Sequence, residues 1–154
     1  ALDDSFGGYW DFPGGSLERT DQTLLDGVAR EVFEETGLHV SKIRDIVRVD
    51  EWIERKTLGL AAKWSCVVDV HEAGDTVEWE EKIKLDPKEH VNWVWVSEEE
   101  VEKSARLQKK EGAPYMFVGV QGETAWEAFK VYLKLEERRP KVIANEDTVE
   151  VSKV

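Results

Sequence analysis

Between positions 21 and 36 the apolar residues Leu25, Val28 and Val32 recur at intervals of three and four, with charged residues between them. That spacing predicts an amphipathic helix over 21–36. Thr20 or Asp21 can act as its N-cap, and Gly37 stands where a left-handed C-terminal residue is wanted. Upstream, the apolar piece Tyr9, Trp10 and Phe12 runs into Pro13-Gly14-Gly15, the pattern of a short strand entering a tight turn. Downstream, 43–53 and 58–70 read as strands that pair, the second alternating through Leu60, Ala62, Trp64, Cys66, Val68 and Val70. The polar stretch 71–90 predicts a loop with a short strand. The run Val91-Asn92-Trp93-Val94-Trp95-Val96 is apolar on both faces, as a central buried strand would be. Ser97 is placed to cap a helix reaching 109. A last helix over 123–138 puts Trp126, Phe129 and Leu133 on one stripe and stops before Pro140. We therefore expect one domain over 1–140, followed by a tail, 141–154, that offers an edge strand.

Composition narrows the function classes. In 154 residues, 21 basic and 33 acidic side chains leave a net charge of −12, a field that repels nucleic-acid backbones and anionic membrane surfaces. A nucleic-acid or membrane partner is thus not expected. Cys66 is the single cysteine, so an internal disulfide and multi-cysteine zinc patterns are excluded, and its place on an alternating strand reads as an inert, buried thiol. The sequence has no long apolar run and no charged-then-apolar leader, which favours an intracellular, cytoplasmic setting. The first residue is Ala1 rather than methionine, which fits a segment removed upstream.

Charge distribution inside the first helix is unusual. With Glu31 at zero and about 100° per residue, Glu35 falls near +40°, Glu34 near −60° and Arg30 near −100°, while Leu25, Val28 and Val32 lie at roughly +60° to +120°. The carboxylates border the core. Like charges three and four apart repel by about 0.2–0.5 kcal/mol per pair, and acids in a last turn oppose the helix dipole by about 0.3–1 kcal/mol each. A divalent cation held by oxygen ligands, Mg²⁺ or Mn²⁺, would offset that cost. Adjacent glutamates also occur at Glu80-Glu81, Glu98 to Glu100 and Glu136-Glu137, so a bare pair is read first as a solvated face.

The ensemble separates this cluster from the others. The glycine turn followed by Arg30-Glu31-Val32-Phe33-Glu34-Glu35-Thr36-Gly37-Leu38 resembles the Nudix hydrolase box: Gly, five residues, Glu, seven residues, Arg-Glu-apolar-any-Glu-Glu-any-Gly-apolar. Its second half is matched at every defined position. In its first half, fourteen residues separate Gly15 from Arg30, one more than in the box, so the box glutamate becomes Asp21 counted forward or Gln22 counted back.

The resemblance implies an α/β/α sandwich with a mixed sheet, in which strands usually precede the box. Here an N-terminal strand would be missing or replaced. It also implies a Mg²⁺-dependent pyrophosphohydrolase acting on a small nucleoside diphosphate derivative, the alternative being a catalytically idle nucleotide- or protein-binding module. Residue by residue, Glu34 and Glu35 would be the principal metal ligands with the Gly15 carbonyl. Glu31 would be a ligand or the base, and Arg30 would hold the carboxylates in place. Glu89, ahead of 91–96, is the candidate for a further carboxylate, against the alternative of a solvated loop residue. Phe6 and Tyr9, like Tyr115 and Phe117, are candidates to stack a base, with core packing as the competing role. His39, His71 and His90 have no metal-ligand spacing and read as ordinary surface or strand residues.

Overall fold

A computed structural model describes residues 8–55, 57–74, 78–107 and 111–138. Phe6 and the tail 141–154 lie outside these residues. The described elements are α1 (Leu24–Thr36), β1 (Val40–Ile53), β2 (Leu60–Val70), α2 (Glu98–Leu107) and α3 (Gln121–Glu137), with short 3₁₀ turns at Glu72–Gly74 and Trp79–Lys82.

Helix α1 begins three residues later than its apolar spacing predicts. Thr23, not Thr20 or Asp21, is the N-cap: its hydroxyl accepts from the Asp26 amide at 3.2 Å, and the Asp26 carboxylate takes the Thr23 amide at 2.8 Å. This reciprocal box satisfies two amides that the first turn would leave unpaired. Gly37 ends the helix at φ 71°, its amide donating to the Phe33 carbonyl at 2.7 Å. Inside the helix, buried Gly27 costs about 0.5–1 kcal/mol relative to alanine. Something must make its missing side chain useful.

The two expected strands form and pair antiparallel, from Val40 against Val70 to Ile53 against Leu60, with three register shifts along the ladder. Strand β1 starts earlier than expected, at Val40, because the His71 amide reaches the His39 carbonyl and prolongs the ladder. Helix α3 packs across both strands, α2 packs on α3, and α1 touches β1. Arg44 ties β1 to β2 and α3, donating to Asp69 at 3.1 Å and Glu136 at 2.7 Å. The best-buried apolar residues are Val101, Ala105, Ala125 and Leu38. The result is a Nudix-like α/β fold with a reduced sheet: among the described residues the sheet has two strands, rather than the mixed sheet expected.

Three expected strands take other forms. The segment 91–96 is not a strand, and Val91 and Trp95 are 73% and 57% exposed. Its tryptophans meet edge to face instead, Trp93 with Trp95 at 5.8 Å and Trp95 with Trp79 at 5.3 Å. Apolar residues on both faces demand contact, and ring contacts met part of that demand without a backbone ladder. Within 71–90, the described residues form 3₁₀ turns and no strand. Ahead of the glycine turn, the expected short strand is a single parallel bridge between Trp10 and Phe117. It is closed by Trp10 N to Met116 O at 2.8 Å and Val118 N to Trp10 O at 3.1 Å.

The last two helices follow the sequence closely. Ser97 caps α2 through its bonds with Glu100, whose carboxylate accepts the Ser97 amide at 2.8 Å while the Glu100 amide donates to the Ser97 hydroxyl at 3.3 Å. Helix α3 begins two residues before the expected 123.

Candidate functional site

The organising side chain is Arg30, in the middle of α1. A guanidinium has five N–H donors in a fixed plane, and all five find oxygen. Nε donates to Asp21 Oδ1 at 3.1 Å and Nη2 to Asp21 Oδ2 at 3.0 Å, a bidentate pair. The second hydrogen of Nη2 goes to the Ser16 carbonyl at 2.9 Å. Nη1 donates to Glu31 Oε1 at 2.9 Å and to Glu34 Oε2 at 2.8 Å. Arg30 therefore fastens the loop before the helix to two glutamates of the helix. Hydrogen bonds from Arg30 hold the Asp21 carboxyl below its ordinary value, and Asp21 in turn raises that of Arg30.

This geometry settles which residue stands opposite Arg30: it is Asp21, the forward count from Gly15, and not Gln22. The extra residue of the box thus falls between Asp21 and Arg30, at the start of the helix.

Glu31 lies against the glycine turn. A β-carbon on Gly15 would fall 2.6 Å from both Cδ and Oε2 of Glu31, so a side chain there would displace this carboxylate from its place against the turn. Glu34 is the outermost of the three, its side chain 54% exposed, while that of Glu35 is 10% exposed. Glu35 faces a different set of partners. Its Oε2 accepts from the Gly14 amide at 3.1 Å and lies 2.8 Å from His90 Nε2. Burial pushes the Glu35 carboxyl up, and the hydrogen bonds with His90 and Gly14 only partly oppose it.

His90 is the site residue that sequence reasoning passed over. The chain after the second 3₁₀ turn lies along the end of α1, with Lys84 N on Thr36 O at 2.8 Å and Asp86 N on Glu35 O at 3.2 Å. Asp86 then turns it back, its side chain accepting from Lys88 N at 2.8 Å and its carbonyl from Glu89 N at 3.1 Å and His90 N at 2.9 Å. The turn delivers His90 to Glu35 and leaves Glu89 exposed. A Pro-Lys-Glu-His sequence after an aspartate was the available signal for this turn, but not for its destination.

Of the aromatic candidates, Tyr9 is half-buried. Tyr115 and Phe117 pack with Trp10 and Phe12, Trp10 to Tyr115 at 5.6 Å and Phe12 to Phe117 at 6.2 Å.

Among the described residues no three His, Cys, Asp or Glu side chains are grouped so as to hold a metal ion. The reason is visible in the bonding: Arg30 stands between Glu31 and Glu34, and Glu35 is turned to Gly14 and His90. The donor chemistry nonetheless suits a hard divalent cation. Three carboxylates of one helix and a glycine turn pressed on one of them supply oxygen ligands only. No described helix is long and apolar enough to cross a membrane.

A family model for the NUDIX domain matches residues 2–117, well over half of the chain. Comparison with curated proteins and with solved structures gives no significant match.

Proposed function

Because the chain belongs to the Nudix family of pyrophosphate-bond hydrolases, we propose that it cuts the diphosphate linkage of a nucleoside diphosphate joined to a second moiety, with Mg²⁺ as cofactor. The observation that carries this reading is the Arg30 network, in which one guanidinium nitrogen bonds both Glu34 and Glu31, the latter lying against the Gly15 turn.

Glu34, Glu35 and the Gly15 carbonyl would hold the metal, with Glu31 as a further ligand or the base, and with Glu89 within the loop that also carries His90. Bound Mg²⁺ supplies positive charge to the diphosphate oxygens and lowers the pKa of coordinated water. The remaining work falls to this chain. Arg30 keeps Glu31 oriented through the Nη1 bond, so that a Glu31 oxygen can accept a proton from the attacking water. Glu35, buried and bonded to His90, is held by a contact that does not depend on substrate. Phe6 and Tyr9, on the chain leading to the glycine turn, are the proposed stacking residues for the base.

A second reading, a catalytically idle binding module, is favoured by one observation: the inner oxygen of Glu35 is already taken up by Gly14 and His90. One assay separates the two. The chain is incubated with Mg²⁺ and ADP-ribose, nucleotide sugars, dinucleoside polyphosphates, NADH, CoA and nucleoside triphosphates, and released nucleotide is measured. Metal-dependent release from at least one diphosphate-linked compound is expected. Binding of these compounds with no release supports the idle module.

A further inference from the structure

We propose that Gly27 is a seat in α1 for the loop that carries Asp21, and that this seat sets the aim of Arg30 on Glu31 and Glu34. The Asp21 side chain is only 6% exposed and is pinned on every side. Its Oδ2 accepts from the Glu18 amide at 2.8 Å and from Arg30 Nη2 at 3.0 Å, its Oδ1 from Arg30 Nε at 3.1 Å, and its own amide donates to the Glu18 carbonyl at 3.1 Å. Directly opposite lies Gly27. A β-carbon there would sit 3.2 Å from Asp21 Oδ2 and 3.6 Å from its Cγ, and would also meet Leu17 Cδ2.

These two obstacles differ in kind. Leu17 is 58% exposed and can swing its methyl aside. Asp21 must give by a few tenths of an ångström, and any such shift disturbs its bonds to Arg30, because the oxygen in the way is one that holds the guanidinium. The parts explain one another: an aspartate has a short reach, so its backbone must come close to the helix. The extra residue between Asp21 and Arg30 gives the chain the slack to do so, and a helix-interior glycine gives it the room. Arg30, the residue so positioned, is the one that orders Glu31 and Glu34. Gly27 and Asp21 are thus positioning residues. The inference rests on the proposed hydrolase only where activity is read.

The test compares the full chain with Gly27→Ala, Asp21→Asn, their double variant, and Gly27→Ala combined with Leu17→Ala. Melting is followed in chelator and in Mg²⁺, along with the Mg²⁺ dependence of hydrolysis. In an unobstructed helix interior, alanine for glycine would raise the midpoint by roughly 1–4 °C. Here Gly27→Ala is expected to lower it, to reduce the Mg²⁺-induced rise by half or more, and to raise the Mg²⁺ needed for half-maximal activity several-fold. Asp21→Asn should act in the same direction on all three. The double variant should be no worse than the worse single one, since the Asp21–Arg30 contact is lost only once. Leu17→Ala should not repair Gly27→Ala.

Three results overturn the seat: a higher midpoint with an unchanged Mg²⁺ response in Gly27→Ala, additive effects in the double variant, or full repair by Leu17→Ala. Should Asp21→Asn fail to fold, Gly27→Ala with and without Leu17→Ala decides alone. A parent that neither hydrolyses the panel nor responds to Mg²⁺ defeats the hydrolase reading, while the melting cycle in chelator still judges the seat.

Discussion

His90 Nε2 and Glu35 Oε2 lie 2.8 Å apart, although fifty-five positions separate them in the chain. The same carboxylate oxygen receives the Gly14 amide, so the glycine turn, the helix and the later loop meet on one atom. Each contact favours the ionised carboxylate in a place where burial disfavours it. In metal-free protein, His90→Ala is therefore expected to push the Glu35 pKa higher still. Carboxyl-carbon NMR titration of the parent and the variant measures this directly, and an unmoved or lowered Glu35 would show that the pair contributes little to its ionisation.

A second clamp joins the entry of β1 to the end of β2. Glu72 accepts from the His39 backbone amide at 3.0 Å, and its other oxygen lies 2.7 Å from His39 Nδ1. The hydrogen bond with the His39 ring holds the Glu72 carboxyl at about 2, down from an ordinary 4.5. A depressed folded pKa means that the unfolded chain takes up protons first as pH falls. The stabilisation is present in full above about 4.5 and drains away as pH drops toward 2. Glu72→Gln should thus melt below the parent at pH 7, with the gap closing across pH 4.5 to 2. A gap that is constant with pH would assign the effect to packing instead of charge.

Legibility in the sequence tracked how local each cause is. Thr23, Asp26 and Gly37 bracket α1 by contacts within four residues, and Ser97 with Glu100 does the same for α2, so both helices could be read within a few positions. The β1–β2 pair was readable because neighbouring strands tend to pair. The segment 91–96 misled, because apolar residues report a demand for contact and not which contact meets it. Asp21 against Gln22 was undecidable by counting, and bidentate geometry with Arg30 decided it. His90 was hidden for a similar reason: its role depends on where the Asp86 turn lies in space, and a sequence shows only that a turn is there.

Mg²⁺ or Mn²⁺ should raise the melting temperature. The carboxylates of α1 repel one another, and Arg30 neutralises only part of that charge through Glu31 and Glu34. A cation bound to the folded arrangement alone stabilises it by about 2.7 kcal/mol at a hundredfold excess over its Kd. For a chain of this size that is on the order of 5–10 °C. Melting with millimolar Mg²⁺, Mn²⁺ or chelator measures the effect, and Glu34→Gln and Glu35→Gln should each blunt it. Equal midpoints under all conditions would mark an acidic face that takes up no metal.

Glu35→Gln separates chemistry from folding. Glutamine keeps the size of the side chain and removes the charge, and at this buried position ionisation already costs stability. Because burial raises the folded pKa of Glu35 above the ordinary 4.5, stability is lost as pH rises from about 4.5 through the folded pKa, a cost that a neutral amide does not carry. Loss of the His90 bond to a charged partner works in the opposite direction. The net expectation in metal-free protein is an unchanged or slightly higher midpoint. Turnover is a different matter: under the proposed function Glu35 would help hold the metal, and its loss would remove charge stabilisation from the transition state. The best substrate of the panel should then be cut slower by orders of magnitude at saturating Mg²⁺. Parallel measurement of kcat and of the midpoint in chelator gives both halves of the test. If turnover stays within a few-fold of the parent, the catalytic centre does not include Glu35.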